Sequence, residues 1–457
     1  MAIRLSCRTN FFIKFNEDIP LKLKTSSLLI AGALFGAAVM PAQADEAMMD
    51  LLKVLRDQGT ITAQNYDLLK NAAAADKEAT DAVKADVAKV NESMPKITTK
   101  GKIKIESADG KYSFQPIGRV MWDAVSTDGD DSGKEFHGTE LRRARLGFQG
   151  KVEDFGYKFE ADFAGGDASI KDAYVSYNTK LAGNKTSIKL GQSQIAFGFN
   201  TAASSKYMTF MDRPWYADKA TSPARQSGVA AKVSGKAWSA ATSVTQGSLK
   251  DGTTEENEAG TTFALRGTFM PMKSVQVGAG YMSVSSNAEG FKFSNHLTAH
   301  EDPLKIGTAL SSNDYDGSDA FEMDAVGIFG PFHALAEYNA YAANSKGNTD
   351  DVDVNSYSVE AGYFLTGESM KLKHGLWGGI TPKSSAGAWQ LAARYENTAI
   401  DGDSIEQEAD MATFGVNYYA NKNVRFMLDY SQVLSNENNA GDLPEPSAVK
   451  FRAQAKW

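Results

Sequence analysis

The sequence predicts an all-β protein, a 16-stranded antiparallel transmembrane β-barrel with a short N-terminal periplasmic helical or coiled-coil segment. Three observations carry this reading. From Lys102 to the C-terminus apolar and polar residues alternate with period two, as in VKFRAQAKW. There Val449, Phe451, Ala453, Ala455 and Trp457 share one face, and Lys450, Arg452, Gln454 and Lys456 the other. Short connections such as VEDFG (152–156), VSGK (233–236), FGPF (329–332) and ANKN (420–423) alternate with mostly longer polar ones, including 126–139, 193–227, 285–319 and 344–353. The strands end in aromatics, among them Trp122, Tyr177, Tyr281, Tyr338 and Trp457. A soluble sandwich would also give each strand one apolar face. Short turns at one end, long loops at the other and aromatic girdles instead mark a barrel whose apolar face meets lipid.

Residues 1–44 read as a secretory signal peptide. Lys22 and Lys24 precede the apolar stretch LLIAGALFGAAVM (28–40), and Pro41 and the triplet Ala42, Gln43, Ala44 follow, so cleavage is expected before Asp45. Thirteen apolar residues fall short of the roughly 20 that a spanning helix needs. The single cysteine, Cys7, lies in this leader, which leaves the mature chain no thiol for a disulfide, a metal or nucleophilic attack. Removing the leader's five bases and two acids takes the formal net charge from −8 to −11. That acidic balance argues against nucleic-acid partners, and a mean hydropathy of −0.35 excludes a helical membrane protein.

Residues 45–95 form the next unit. Between Glu46 and Ser93 the chain is rich in Ala, Leu, Lys and Asp, with one Gly and no Pro, which reads as helix. Gly59 suits a left-handed cap closing a first helix, MMDLLKVLRDQ, and Thr62 an N-cap opening a second. In the second, Leu69, Ala73, Asp76, Thr80, Val83, Val87, Val90 and Met94 recur at spacings of four and three. This is a coiled-coil seam weakened by Asp76 and Thr80.

Residues 96–457 are assigned to the barrel. Strands are predicted near 113–125, 140–152, 156–164, 170–179, 185–192, 227–234, 236–246, 261–270, 273–284, 320–329, 331–341, 355–366, 387–398, 410–420, 423–433 and 447–457. The segment KLKHGLWGGI (371–380) looks partly like a strand, but an even count returns Trp457 to the periplasmic end and keeps ANKN there. It is therefore left out. Sixteen strands enclose an aqueous channel.

The stretches ELRRARLGFQG (140–150), GYKFEADF (156–163), IKDAYVSY (170–177), KLGQ (189–192), AGYFLTGES (361–369), GAWQLAARYE (387–396) and VNYYANKNVRFMLDY (416–430) resemble the phosphate-selective porin O and P family in order and spacing. The resemblance implies a homotrimeric 16-stranded channel of the bacterial outer membrane that passes anions. It also implies that the loop after the fifth strand folds inward as a constriction and that arginines line the path. Such barrels usually end in Phe, whereas this chain ends in Trp457. The expected function is an outer-membrane diffusion channel for small, phosphate-like anions. A general, weakly selective porin and a structural or adhesive barrel stay open as alternatives.

The residues of an anion path follow from side-chain direction. Ala144, Leu146 and Phe148 outward set Arg143 and Arg145 inward; Ile188 and Leu190 do the same for Lys189, and Phe263 and Leu265 for Arg266. Lys158, Arg394, Arg425, Lys450, Arg452 and Lys456 also face inward, but so do nine acids: Asp123, Glu160, Asp162, Glu322, Asp324, Glu337, Glu360, Glu396 and Asp429. The lumen is thus nearly neutral, and selectivity is expected at the constriction. The 193–227 loop carries Lys206, Arg213, Lys219 and Arg225 against Asp212 and Asp218, and its piece YMTFMDRPWY is too apolar for a solvated tip. Of the five His, His296 and His300 stand four apart in a loop without an obvious third ligand, so no metal is expected. No nucleophile elbow or phosphate-binding glycine loop is present, and neither an enzyme nor a cofactor is expected.

Overall fold

The computed structural model describes residues 43–217, 225–247, 249, 260–285, 292–309, 315–345, 351–402 and 405–457. The expected leader lies outside the described residues except for its last two positions. The chain divides into two compact units that part between Glu92 and Ser93.

The first unit holds α1 (Gln43–Asp57) and α2 (Ala63–Ser93). Gly59 adopts φ +72° and donates its N–H to the Arg56 carbonyl at 2.9 Å, closing α1 with the left-handed geometry that glycine tolerates. Thr62 Oγ1 accepts the Asn65 N–H at 3.2 Å and opens α2. The Arg56 guanidinium stacks 4.6 Å over the Tyr66 ring and ties the two helices. No α2 residue is buried, and Leu69, Val83, Val87 and Val90 stand exposed along it.

In the second unit a small hairpin, Lys96–Thr98 with Lys104–Glu106, hydrogen-bonds to the first barrel strand through Ile105 opposite Phe114. The barrel strands are β1 (Tyr112–Asp128), β2 (Phe136–Val152), β3 (Phe155–Asp162), β4 (Ser169–Leu181), β5 (Asn184–Gln194), β6 (Arg225–Ser234), β7 (Trp238–Gln246) and β8 (Thr261–Met272). They continue as β9 (Val275–Val284), β10 (Tyr315–Phe329), β11 (Phe332–Ser345), β12 (Val352–Phe364), β13 (Ala388–Asp401), β14 (Gln407–Tyr419), β15 (Val424–Asn438) and β16 (Ser447–Lys456). Each pairs antiparallel with its chain neighbour, and β16 pairs with β1 from Ser447 opposite Asp128 to Lys456 opposite Arg119, which closes the barrel. At that seam Trp457 and Gly118 exchange backbone hydrogen bonds of 3.2 and 3.3 Å. The indole lies so close over Gly118 that a Cβ there would sit 2.2 Å from it, which is why a glycine stands opposite the terminal aromatic.

Outward positions such as Leu146, Leu190 and Phe414 remain more than half exposed, the surface a lipid belt covers. All nine inward acids are buried. Three segments fold inside the wall. The described residues 195–217 of the connection between β5 and β6, loop 3, carry short helical turns at Phe199–Ala202 and Trp215–Ala217. The described residues 292–309 of loop 5, between β9 and β10, form a hairpin, Lys292–His296 with Lys305–Ala309. At the short-turn end, the 365–387 connection makes a two-residue hairpin, Leu372–Lys373 with Leu376–Trp377, and buries Met370, Trp377 and Ile380 against Phe199 and Phe364. KLKHGLWGGI is thus an inserted plug rather than a seventeenth strand.

Candidate functional site

The centre of the barrel is loop 3 and the two walls that face it. On the wall formed by β11 to β16, carboxylates take up loop 3's own N–H and O–H groups. Glu337 accepts Phe199 N–H at 2.8 Å, Asn200 N–H at 2.9 Å and Asn200 Nδ2 at 2.8 Å. Asp429 accepts Met211 N–H at 2.7 Å, Glu396 accepts Trp215 N–H at 2.8 Å, and Glu360 accepts Thr209 Oγ1 at 3.0 Å. Guanidinium groups take the loop's carbonyls: Arg394 reaches Asp212 O at 2.9 Å, Arg425 reaches Met208 O and Arg452 reaches Met211 O, both at 2.7 Å. Charge-assisted bonds of this kind contribute roughly 1.5–3 kcal/mol each. Met208, Phe210, Met211, Trp215 and Tyr216 are nearly fully buried between them, with Phe210 under Arg394 at 5.0 Å and Phe199 edge-on to Trp377 at 5.3 Å.

The wall formed by β1 to β6 differs. Arg119 donates to Glu160 at 2.9 Å and to Ser205 Oγ of loop 3 at 2.9 Å. Arg145, opposite Arg119 in register, donates to Asp162 at 2.7 Å and to Glu160 at 3.3 Å. Lys158 pairs with Glu160 at 3.4 Å and with Asp172, which Arg225 also meets at 3.2 Å. Three carboxylates therefore serve four bases here, while Arg142, Arg143, Lys171 and Lys189 add further positive charge on the same wall.

Two of those bases reach the lumen through β-bulges. Between Met121 and Trp122 of β1 the partner strand skips from Arg143 to Leu141, so Arg142 is the extra residue and is buried. Between Glu160 and Ala161 of β3 the partner skips from Asp172 to Ile170, so Lys171 is the extra residue and lies near Arg143, Arg145 and Arg225. A bulge re-aims a side chain that plain alternation would send to the lipid face.

The expected site residues divide accordingly. Arg143, Arg145, Lys189 and Arg225 lie together on the β1–β6 wall, Lys189 4.7 Å over the Tyr174 ring. Lys206 sits on loop 3 with its ammonium 5.9 Å from the centre of the Tyr207 ring. Burial, reinforced by the Arg119 charge, pushes that ammonium down to about 7. Burial likewise raises the Tyr207 phenol, whereas Asp212 is held well below the usual carboxylate range because Lys450 and Arg452 outweigh its burial. Arg213 braces loop 3 itself, donating to Asn200 O at 2.8 Å and Ala203 O at 2.6 Å. Arg266 stands on the far side, crossing the side-chain-free Gly278 to bind Glu322 at 2.7 Å and Asp324. Lys219 lies outside the described residues.

The sequence reading missed Arg119, Arg142, Lys171 and Asp172. Arg119 and Asp172 follow from alternation alone; the other two depend on the bulges.

Residues 114–457 match the family described as phosphate-selective porin O and P. Porin O of Pseudomonas aeruginosa is 25% identical over 389 residues, covering 76% of this chain and 89% of that protein. Among solved structures, OmpT of Vibrio cholerae with its loop L8 deleted superposes with a TM-score of 0.52 at 14% identity, over 76% of this chain and 100% of its own. An anion-selective porin from Comamonas acidovorans gives 0.51 at 13% identity, with 76% and 100% covered. These likenesses share the porin barrel, and with a family match across the whole barrel the chain belongs to the phosphate-selective porin O and P family.

Proposed function

We propose that the chain is an outer-membrane diffusion channel for small anions, phosphate or a related oxyanion, assembled as a homotrimer after cleavage before Asp45. Residues 45–95 then form a periplasmic segment and residues 96–457 the pore. The observation that carries this reading is the separation of charge across the lumen. Four of the nine inward acids, Glu337, Glu360, Glu396 and Asp429, are engaged with loop 3 on one wall, and the other wall keeps more bases than acids.

An anion passing at about 5 Å from one such base, in an effective dielectric near 20, gains roughly 3 kcal/mol. Acids of the outer loops that stand farther off than a screening length of about 8 Å count for little. Arg142 and Arg143 precede Arg145 from the long-loop end of β2, and Lys189 and Lys232 continue the path toward the short-turn end. The carboxylates beside Arg119 and Arg145 fix the guanidinium forks, whose planar donors match oxyanion geometry. The family's description and the relative named an anion-selective porin point the same way.

Replacing Arg143 and Arg145 with Gln tests the reading in a planar bilayer under a salt gradient. The reversal potential should move toward cations while the pore stays open. Neutralising Asp128, Asp130 and Asp131 in the first loop should do much less. The opposite ranking would favour a general porin.

A further inference from the structure

We propose that Glu140, His300 and Glu301 form a binding site for a divalent transition metal, zinc in the first instance, that clamps loop 5 to the barrel wall at the long-loop mouth. His300 and Glu301 sit in the tip of loop 5, and Glu140 lies 160 positions away in β2. His300 Nδ1 is 3.0 Å from Glu140 Oε2 and 3.0 Å from Glu301 Oε1, and one ligand atom from each residue lies within 4.8 Å of the others. Ligands bound at about 2.0–2.1 Å around one zinc stand roughly 3 to 3.5 Å apart, so little movement is required.

The hydrogen bonding by itself is incomplete. A single imidazole nitrogen carries at most one proton and faces two carboxylates, so the two share one donor. Glu140 Oε1, moreover, is buried and has no hydrogen-bond partner among the described residues. A cation satisfies both defects.

The surroundings hold the donors in place. Asp302 accepts the Thr298 and Leu304 N–H groups at 3.0 and 2.9 Å, which fixes the turn carrying His300 and Glu301. Lys450 donates to Thr298 O at 2.7 Å, and Trp215 Nε1 of loop 3 donates to Leu297 O at 2.8 Å, which seats the tip. The His296 ring lies 5.8 Å from that of His300, with its Nδ1 against Asp302 O, and is a second imidazole beside the site. One or two imidazoles with two carboxylates make a mixed nitrogen and oxygen set, which suits zinc and its neighbours and not calcium or magnesium. The three side chains keep 15, 28 and 38% of their surface, so an ion can reach them from the mouth. Bound there, it would cancel two carboxylates at the entrance to the Arg142 and Arg143 track. That consequence, unlike the site itself, rests on the anion-channel reading.

The test is calorimetric titration of the full-length protein in detergent, stripped with a chelator, using zinc, magnesium and calcium chlorides. One zinc per chain should bind, about 100-fold or more tighter than magnesium or calcium. Glu301→Gln and His300→Ala should each weaken zinc by about tenfold or more, while His374→Ala leaves it unchanged. Heat-modifiable gel migration confirms that each variant is folded. Zinc binding that is unchanged in both loop variants, or no tighter than magnesium, overturns the proposal. The calorimetry reads the metal alone, whereas the anion reading stands or falls on reversal potentials, so either can fail separately.

Discussion

Glu337→Gln is the sharpest probe of how loop 3 is held. The Glu337 carboxylate accepts four donors from loop 3: Phe199 N–H, Asn200 N–H, Asn200 Nδ2 and, at 3.2 Å, the Tyr216 hydroxyl. Glutamine keeps the shape but removes the charge and turns one oxygen into an NH2 that faces N–H groups. Exchanging charge-assisted for neutral bonds loses about 1 kcal/mol per donor, so about 4 kcal/mol in all. That corresponds to roughly a thousandfold increase in the local opening of loop 3, since each 1.4 kcal/mol is about tenfold. The assay is amide hydrogen exchange of residues 199–217 in the intact protein, with single-channel current noise alongside. Protection in this segment should collapse while the β13 to β15 amides keep theirs. Exchange of 199–217 accelerated by less than about tenfold would refute the anchoring argument.

Three further outcomes are expected. Lys206, pushed down to about 7 by burial and then by Arg119, carries its charge below that pH and loses it as the pH rises, so anion preference should fall between about pH 6 and 8. Lys206→Arg should hold the low-pH preference across that window; an unchanged pH slope in this variant would exclude Lys206 as its source. Deleting residues 45–93 should leave conductance and barrel folding intact, because the Lys96–Glu106 hairpin attached to β1 remains. Loss of heat-modifiable folding would move the boundary. Mass spectrometry of the exported protein should find a chain starting near Asp45, and an intact 28–40 segment would contradict the leader.

The barrel was legible because a period of two fixes both the strand and its face. All sixteen predicted strands match observed ones, and parity removed 371–380 correctly. Gly59 and Thr62 were readable as helix caps because each satisfies local backbone groups. The bulges were overlooked although the sequence carried their signal. Leu141 and Ala144 both face outward, and so do Ile170 and Ala173; an odd separation cannot keep two residues on one face of a regular strand. The partition of charge was not readable at all. That Glu337, Glu396 and Asp429 hold loop 3, Glu396 while also paired with Arg394, depends on contacts spanning 137, 181 and 218 positions, and counting inward charges does not register them. The same holds for Arg213, which braces loop 3, and for Arg266, which binds Glu322 and Asp324 on the far side. The neighbour that His300 finds in Glu140 comes from β2, 160 positions away, and no spacing in the sequence announces it.

The most direct test of the account is the reversal potential of the purified wild-type protein in a planar bilayer under a potassium chloride gradient. A lumen in which four acids are engaged with loop 3 and the β1–β6 wall keeps more bases than acids predicts a potential of the sign set by chloride, declining as salt rises and screens the track. A potential near zero, or of the sign set by potassium, would contradict it.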